Sequence, residues 1–212
     1  MPLPPPSHLQ ELLAATPPNP DRDPSMAQAA VAMAIDWTGL TSGERGAPAV
    51  LLMQRAKHPS DPWSGQVSLP GGRAEDFDRD LRATSVREAY EEVGIELESS
   101  ARHLGQLPAR RAMAHGGYVD LWITPHVFEL TSAIAPTTSR EAREAFWLPL
   151  ALARSGALDH KFRYLRPETN STITLPSWRF EERVIWGLTF RMLSALFVHA
   201  SGAPPPPSND LP

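Results

Sequence analysis

The chain of 212 residues is 42% hydrophobic, carries a formal net charge of −4 and contains no cysteine. Its apolar content suffices for one domain with a substantial core, and the missing cysteine excludes disulfides, a thiolate nucleophile and thiolate-bound zinc while permitting a reducing cytosol. The mild acidity without a long basic run argues against a nucleic-acid duplex as partner. No basic stretch leads into an apolar core as a secretory signal would, and the longest apolar stretch, Val184 to Val198, is too short to span a membrane and carries Arg191. A soluble, cytoplasmic protein without a membrane partner is the expectation.

In chain order, proline concentrates at the two ends, so residues 1–6 and 201–212 read as mobile proline-rich tails around a domain over residues 7–200. Ser7 is placed to cap a short helix from His8 to Ala15, stopped by Thr16-Pro17-Pro18. Ala27 to Trp37 is apolar and fits a buried strand or a helix; the glycine-rich Thr38 to Pro48 and a second apolar run, Ala49 to Gln54, favour a hairpin. Gln66 to Leu69 reads as a short strand that delivers the chain to a turn at Pro70-Gly71-Gly72. A helix follows, capped by Asp78 or Asp80 and ended by Gly94. His103 to Leu107 and Tyr118 to Leu130 read as strands, with Pro125 predicting a bulge or an edge. Arg140 to Ala145 leads into Phe146 to Leu150, a strand running into a short helix. Lys161 to Leu165 and Thr172 to Phe180 suggest a late hairpin, and Glu182 to His199 has helical spacing that would cover one face of a sheet. There is no internal repeat, and the mixture is α+β, a mixed sheet flanked by helices.

The stretch from Leu69 to Ile95 organises the rest. At about 100° per residue, Ala83, Val86, Tyr90 and Val93 form an apolar stripe, with Glu88, Glu91 and Glu92 nearly opposite. Like charges at this spacing cost an isolated helix some stability, and oxygen ligands so gathered suit a hard cation such as Mg²⁺ or Mn²⁺. Arg87, one turn before Glu91, offsets or orients part of that charge. Three glutamates alone more often mark a solvated face. Pro-Gly-Gly together with Arg-Glu-x-x-Glu-Glu-x-Gly, however, specifies eight residues that would coincide by chance at roughly one in 10⁹.

This stretch resembles the Nudix box, Gly-x5-Glu-x7-Arg-Glu-U-x-Glu-Glu-x-Gly-U with U a bulky apolar residue. Arg87, Glu88, Glu91, Glu92, Gly94 and Ile95 match residue by residue, with Ala89 small for the first U. Fourteen residues separate Gly72 from Arg87, one more than in the general box. Counting from Gly72 puts the first Glu of the box at Asp78 and counting back from Arg87 puts it at Arg79; with one residue inserted, Asp78 is the candidate. Leu51 to Ala56, Gly65 to Gly72 and Ile185 to Thr189 are further similar to the coenzyme A pyrophosphatase branch, as is the longer spacer, although Leu69 stands where that branch has Phe and Ser60 where it has Arg.

The resemblance implies an α/β/α sandwich with a loop–helix–loop metal site, and Mg²⁺- or Mn²⁺-dependent hydrolysis of a nucleoside diphosphate linked to another group. Glu88, Glu91 and Glu92 carry over as metal ligands with an oxygen near Gly72; Glu88, Arg87 and Glu92 are the catalytic candidates, Arg87 orienting the carboxylates. The base is Glu88, or Glu141 or Glu144 from a loop, where plain surface charge is the competing reading. Arg55 and Arg73 are candidates for substrate phosphates, or for ordinary salt bridges. Trp63 either stacks on a base or packs in the core.

His115 beside Gly116-Gly117 is a substrate loop or merely exposed, His58 and His126 lack partners at metal-ligand spacing, and Ser64-Gly65 is no nucleophile elbow. The expected partner is a small nucleoside diphosphate derivative, handled by a monomer or homodimer. Coenzyme A or an acyl-CoA is the first substrate choice; ADP-ribose, NADH, dinucleoside polyphosphates, oxidised nucleotides, or a silent nucleotide-binding regulatory module are the alternatives.

Overall fold

Side chains along a strand point alternately to the two faces of a sheet, and two apolar strands set the layering here. The computed structural model describes residues 3–16, 23, 25–39, 47–59, 61–114, 117–166 and 169–202. It places these strands as β1 (Ala27–Asp36) and β2 (Ala49–Arg55). Ala32, Ala34, Leu51 and Met53 face one way, into a cluster with Ala89, Val93 and Phe128. Met33, Ile35, Val50 and Leu52 face the other way, into a cluster with Leu9, Leu13, Met192, Leu193 and Leu196. The first layer is helix α2 (Leu81–Val93); the second is α1 (Pro6–Ala14) with α5 (Gly187–Ala200). The sheet is thus sandwiched between helices, the α+β architecture expected.

Among the described residues the main sheet also contains β3 (Val67–Ser68), β4 (Gly71–Arg73), β5 (Ala101–Gln106), β6 (Arg110–Ala114), β7 (Gly117–Leu130) and β8 (Ala142–Pro149). It is mixed: β1 runs parallel to β7 from Ala27↔Leu121 to Ile35↔Glu129, and its other pairings are antiparallel. A small sheet is built from β9 (Asp159–Arg166), β10 (Ser171–Phe180) and β11 (Arg183–Trp186), while α3 (Leu97–Ser100) and α4 (Leu150–Ser155) are short connections.

The expected β1–β2 hairpin exists, but only Ile35↔Val50 and Asp36↔Ala49 pair. Beyond them the strands diverge. β3 continues along β2 (Met53↔Ser68) and β4 along β1 (Ala30↔Gly72), so the chain through Leu69 and Pro70 fills the wedge between them. The N–H of Ala32 donates to the Pro70 carbonyl at 2.8 Å, fixing that insertion. Gly71 and Gly72 are therefore strand, where the sequence predicts a turn.

Other expectations shift for identifiable reasons. α1 begins at Pro6, because proline is pre-organised for the first helical turn, and Ser7 makes no cap. Residues 3–6 are not a loose tail: Leu3 packs on the core and the Pro4 carbonyl accepts from Trp37 Nε1 at 3.1 Å. Residues 203–212 lie outside the described residues, as do Ser60, His115 and Gly116. Pro125 sits neither at an edge nor in a bulge but inside the β1–β7 ladder, opposite Val31. Its carbonyl accepts from Leu107 N. Its missing N–H therefore faces the link where β5 hands over to β6, away from β1.

The apolar stripe of α2 is also rotated from the expected one. Thr84, Ser85, Ala89, Glu92 and Val93 are buried while Tyr90 is 57% exposed. Against Ala32 and Ala34 the helix approaches closely enough to favour small residues, which leaves the tyrosine ring outside. Finally, Arg183 to Trp186 is strand β11, not the first turn of the last helix, which starts at Gly187 with φ 61°. Among the described residues no helix is long and apolar enough to cross a membrane.

Candidate active site

The site is built where α2 meets β4. Asp80 caps the helix, its carboxylate accepting from Ala83 N at 2.7 Å, and Gly94 ends it in the left-handed conformation. Gly71 and Gly72 are required by proximity. A Cβ on Gly71 would lie 2.3 Å from the Ala30 carbonyl oxygen, and one on Gly72 would lie 2.4 Å from Glu88 Oε1. With no side chains in the way, the helix carboxylates rest directly on strand backbone, and Gly71 N–H donates to Glu92 Oε2 at 2.8 Å.

Arg87 ties the box together. Its Nε and Nη2 donate to the two oxygens of Asp78 at 3.1 and 2.9 Å, a fork that fixes the guanidinium plane. Nη1 donates to Glu88 Oε1 at 2.8 Å and to Glu91 Oε2 at 3.0 Å, and Nη2 also reaches the Arg73 carbonyl. Asp78 further accepts from Thr84 Oγ1 and Glu75 N. The Arg87 guanidinium holds its carboxyl down at about 2, and Asp78 in turn raises Arg87 above the usual guanidinium range. Of the two residues that spacing left open, Asp78 is the one bound to Arg87. Arg79 points away, largely exposed, to Glu98.

Glu88 and Glu92 face a cleft of about 640 Å³ that Gly72, Arg55, Arg73, Asp61, Trp63 and Glu141 also line. Glu92 is only 2% exposed. Burial raises its carboxyl to about 8; the Gly71 N–H and Arg55 oppose the shift, and repulsion from Glu88 and Glu141 adds to it. Burial likewise raises Glu88 against the pull of Arg87. Arg55 cannot neutralise the group alone, since its Nε is held by Asp61 Oδ2 at 2.8 Å and its Nη1 is 3.6 Å from Glu92 Oε1.

The remaining sequence candidates separate cleanly. Glu91 and Arg87 lie behind the cleft wall, Glu91 more than half exposed on Arg87. Glu144 is bound by both Nε and Nη2 of Arg183, whereas Glu141 is exposed on a loop pinned by Ala56 N to the Glu141 carbonyl. His126 is buried beneath α2, 3.1 Å from His103, and His58 is exposed. Leu69 is core. Trp63 is half-buried on the cleft wall, its Nε1 donating to the Met113 carbonyl at 2.7 Å.

Sequence reading missed Asp61 and the opposite wall, where Tyr164, Arg166, Trp186 and Arg191 line the same cleft. Trp186 stacks on Phe162 at 4.4 Å and meets Tyr164 at 5.3 Å between ring centroids. The period-two recurrence Phe162, Tyr164, Arg166 was the available signal.

Among the described residues no three His, Asp or Glu side chains form a ready-made metal cage. Glu91 is turned to Arg87, and Glu88 shares that guanidinium. The donor chemistry nevertheless fits a hard divalent cation: a buried and a half-buried carboxylate that repel each other, a third at the rim, and glycine backbone within reach.

The sequence profile of the NUDIX domain matches residues 34–167. The uncharacterized Nudix hydrolase NudL of Yersinia pestis (strain Pestoides F) is 36% identical over 155 residues, 72% of each chain. NudL of Yersinia pseudotuberculosis serotype O:1b (strain IP 31758) gives the same values. Among solved structures, the Nudix hydrolase RenU of M. smegmatis has a TM-score of 0.45 at 24% identity, covering 60% of this chain and 73% of its own. The NUDIX domain of Shewanella oneidensis NrtR, complexed with ADP ribose, has a TM-score of 0.44 at 22% identity, covering 68% and 85%. The matched span contains the carboxylates that line the cleft, Asp61, Glu88, Glu92 and Glu141. Together with the NudL identity, it places the chain in the Nudix hydrolase family.

Proposed function

We propose that this Nudix hydrolase of nucleoside diphosphate derivatives cuts coenzyme A or an acyl-CoA at its pyrophosphate, using Mg²⁺ or Mn²⁺, to give 3′,5′-ADP and (acyl-)4′-phosphopantetheine. The observation that carries the reaction is the pair of half-buried Glu88 and buried Glu92, seated on the glycine strand at one end of a cleft. Glu88, Glu92 and the backbone at Gly72 would hold the cation, with Glu91 adjoining through Arg87. When bound, such an ion offsets charge on the phosphates and polarises a phosphoryl oxygen.

The chain's own groups do the rest. Water attacks one phosphorus, the bond to the bridging oxygen breaks, and the departing phosphate keeps that electron pair. The proton of the attacking water goes to a carboxylate. Glu141 is our choice for that base, since it lines the cleft and its carboxylate makes no hydrogen bond among the described residues. Glu88 is the second choice, because Arg87 already occupies one of its oxygens. Arg73, exposed at the cleft lip, binds substrate phosphate, and Arg55 steadies Glu92 and Asp61 while facing the same space. Arg87 touches no cleft space and is a positioning residue. The coenzyme A choice rests on the resemblance of Leu51 to Ala56, Gly65 to Gly72 and Ile185 to Thr189. Thr189 Oγ1 donates to the Val67 carbonyl at 3.0 Å, so the last two stretches meet.

The test is a panel of coenzyme A, ADP-ribose, NADH and dinucleoside polyphosphates with Mg²⁺ or Mn²⁺, comparing the wild type with Glu88→Gln and Glu92→Gln. Turnover of coenzyme A that falls at least about a hundredfold in both variants is expected. Unchanged turnover in both would sink the site. Hydrolysis of ADP-ribose without coenzyme A would sink the substrate choice alone.

A further inference from the structure

Strand β11 brings the Trp186 ring to the cleft wall. Among the described residues β11 is an edge of the small sheet, and its four residues pair with β10 from Phe180↔Arg183 to Ser177↔Trp186. Left-handed residues flank it on both sides, Glu181 at φ 54° and Gly187 at φ 61°. Glycine adopts that conformation freely; a glutamate does so only where its surroundings hold it.

Arg183, the first residue of β11, supplies such a hold. Its Nε and Nη2 donate to the two oxygens of Glu144 at 2.9 and 2.8 Å, and its Nη1 donates to the Glu181 carboxylate. Its guanidinium also lies 4.4 Å from the centroid of the Phe146 ring. Glu144 and Phe146 belong to β8, which pairs with β2 of the main sheet. A bidentate fork over an aromatic face fixes both the position and the plane of the guanidinium. The Arg183 side chain is 19% exposed, so water and salt screen these contacts incompletely. The small sheet is thereby tied to the main sheet at the strand that ends in Trp186. Glu141, three residues before Glu144, has an anchor of its own in the hydrogen bond from Ala56 N to its carbonyl.

We propose that Arg183 is a positioning residue for substrate recognition: by clamping β11 to β8 it sets where the Trp186 ring stands in the cleft, with Glu144 as its partner and not a base. This rests on the reading of the cleft as the substrate site. It adds two residues to recognition that do not themselves line that space.

Steady-state kinetics with Mg²⁺, on coenzyme A or, where the wild type prefers it, ADP-ribose, test this together with hydrogen exchange of the β11 amides. Arg183→Met should raise KM about fivefold and hold kcat within about twofold, and Glu144→Gln should act in the same direction. Arg183→Lys, which keeps the charge and loses the fork, should recover part of the loss. Adding Arg183→Met to Trp186→Ala should leave the KM of Trp186→Ala alone, since the clamp acts through that ring. Exchange at Val184 to Trp186 should quicken about tenfold in Arg183→Met while the β2 and β8 amides keep their rates. A fall in kcat with KM unchanged, additive losses in the double variant, or unaltered β11 exchange would overturn the clamp. Faster β11 exchange in a protein that hydrolyses neither compound would reject the proposed reaction and keep the clamp, with calorimetric affinity for the same two compounds then standing in for KM.

Discussion

The two ends of the cleft are built differently. The acidic end comes from one continuous stretch, Leu69 to Ile95, with Asp61, Arg55 and Glu141 added at its rim; backbone N–H groups, Arg87 and Arg55 bind its carboxylates. The far end takes single residues from β6, β7, β9, β11 and α5, held by ring contacts and strand pairing. Chemistry demands fixed carboxylate positions, and short-range hydrogen bonds supply them. Recognition demands shape and charge spread over many elements, which also allows them to vary one at a time.

That contrast can be broken at either end. Beyond the loss expected for Glu88→Gln and Glu92→Gln, the next largest effect is at Glu141, where Glu141→Gln should lower kcat about a hundredfold and leave KM unchanged, as removal of a general base does; steady-state kinetics decide it, and a change confined to KM would move Glu141 to the recognition end. Next comes the aromatic wall. Loss of a stacking ring is worth about 1–3 kcal/mol, so Trp186→Ala should raise KM roughly tenfold with little change in kcat. An equal loss in kcat would show that the two ends are not separable.

The smallest effect is in stability against pH, read by thermal melts of metal-free protein. Burial places the folded Glu92 carboxyl at about 8, above its ordinary value of 4.5. The folded state then binds the proton more tightly than the unfolded one, so stability is highest below the unfolded pKa and falls as pH rises through this window. A decline of a few degrees is expected between about pH 5 and 8, absent in Glu92→Gln and reversed by Mg²⁺. A melting temperature independent of pH in the wild type would contradict the buried state of Glu92.

The acidic end was legible in the sequence because its residues are neighbours in it: Asp80, Gly94, Arg87 and the three glutamates needed only helix geometry. What that geometry could not supply was the choice among the glutamates. Glu91 and Glu92 are adjacent in the chain, yet one faces Arg87 in solvent and the other is buried on Gly71, because the helix packs through Ala89 on the alanines of β1. Likewise Glu141 and Glu144 look alike until Arg183, from a distant strand, binds one of them. Gly71 and Gly72 suggested a turn because glycine signals both a reversal of the chain and a close approach of backbone, and only the pairing with β1 distinguishes them. β11 was hidden by an apolar run that continues into α5 without a polar break.

The wedge between β1 and β2 has a consequence for the order of folding. β4 finds β1 across a short stretch of chain, whereas β1 must wait for β7 to gain its parallel neighbour, and β6 joins only through β7. Closing the longer loop costs more chain entropy. On refolding, the glycine strand is therefore expected to dock first and the acidic end to take shape early, with the far end completed last.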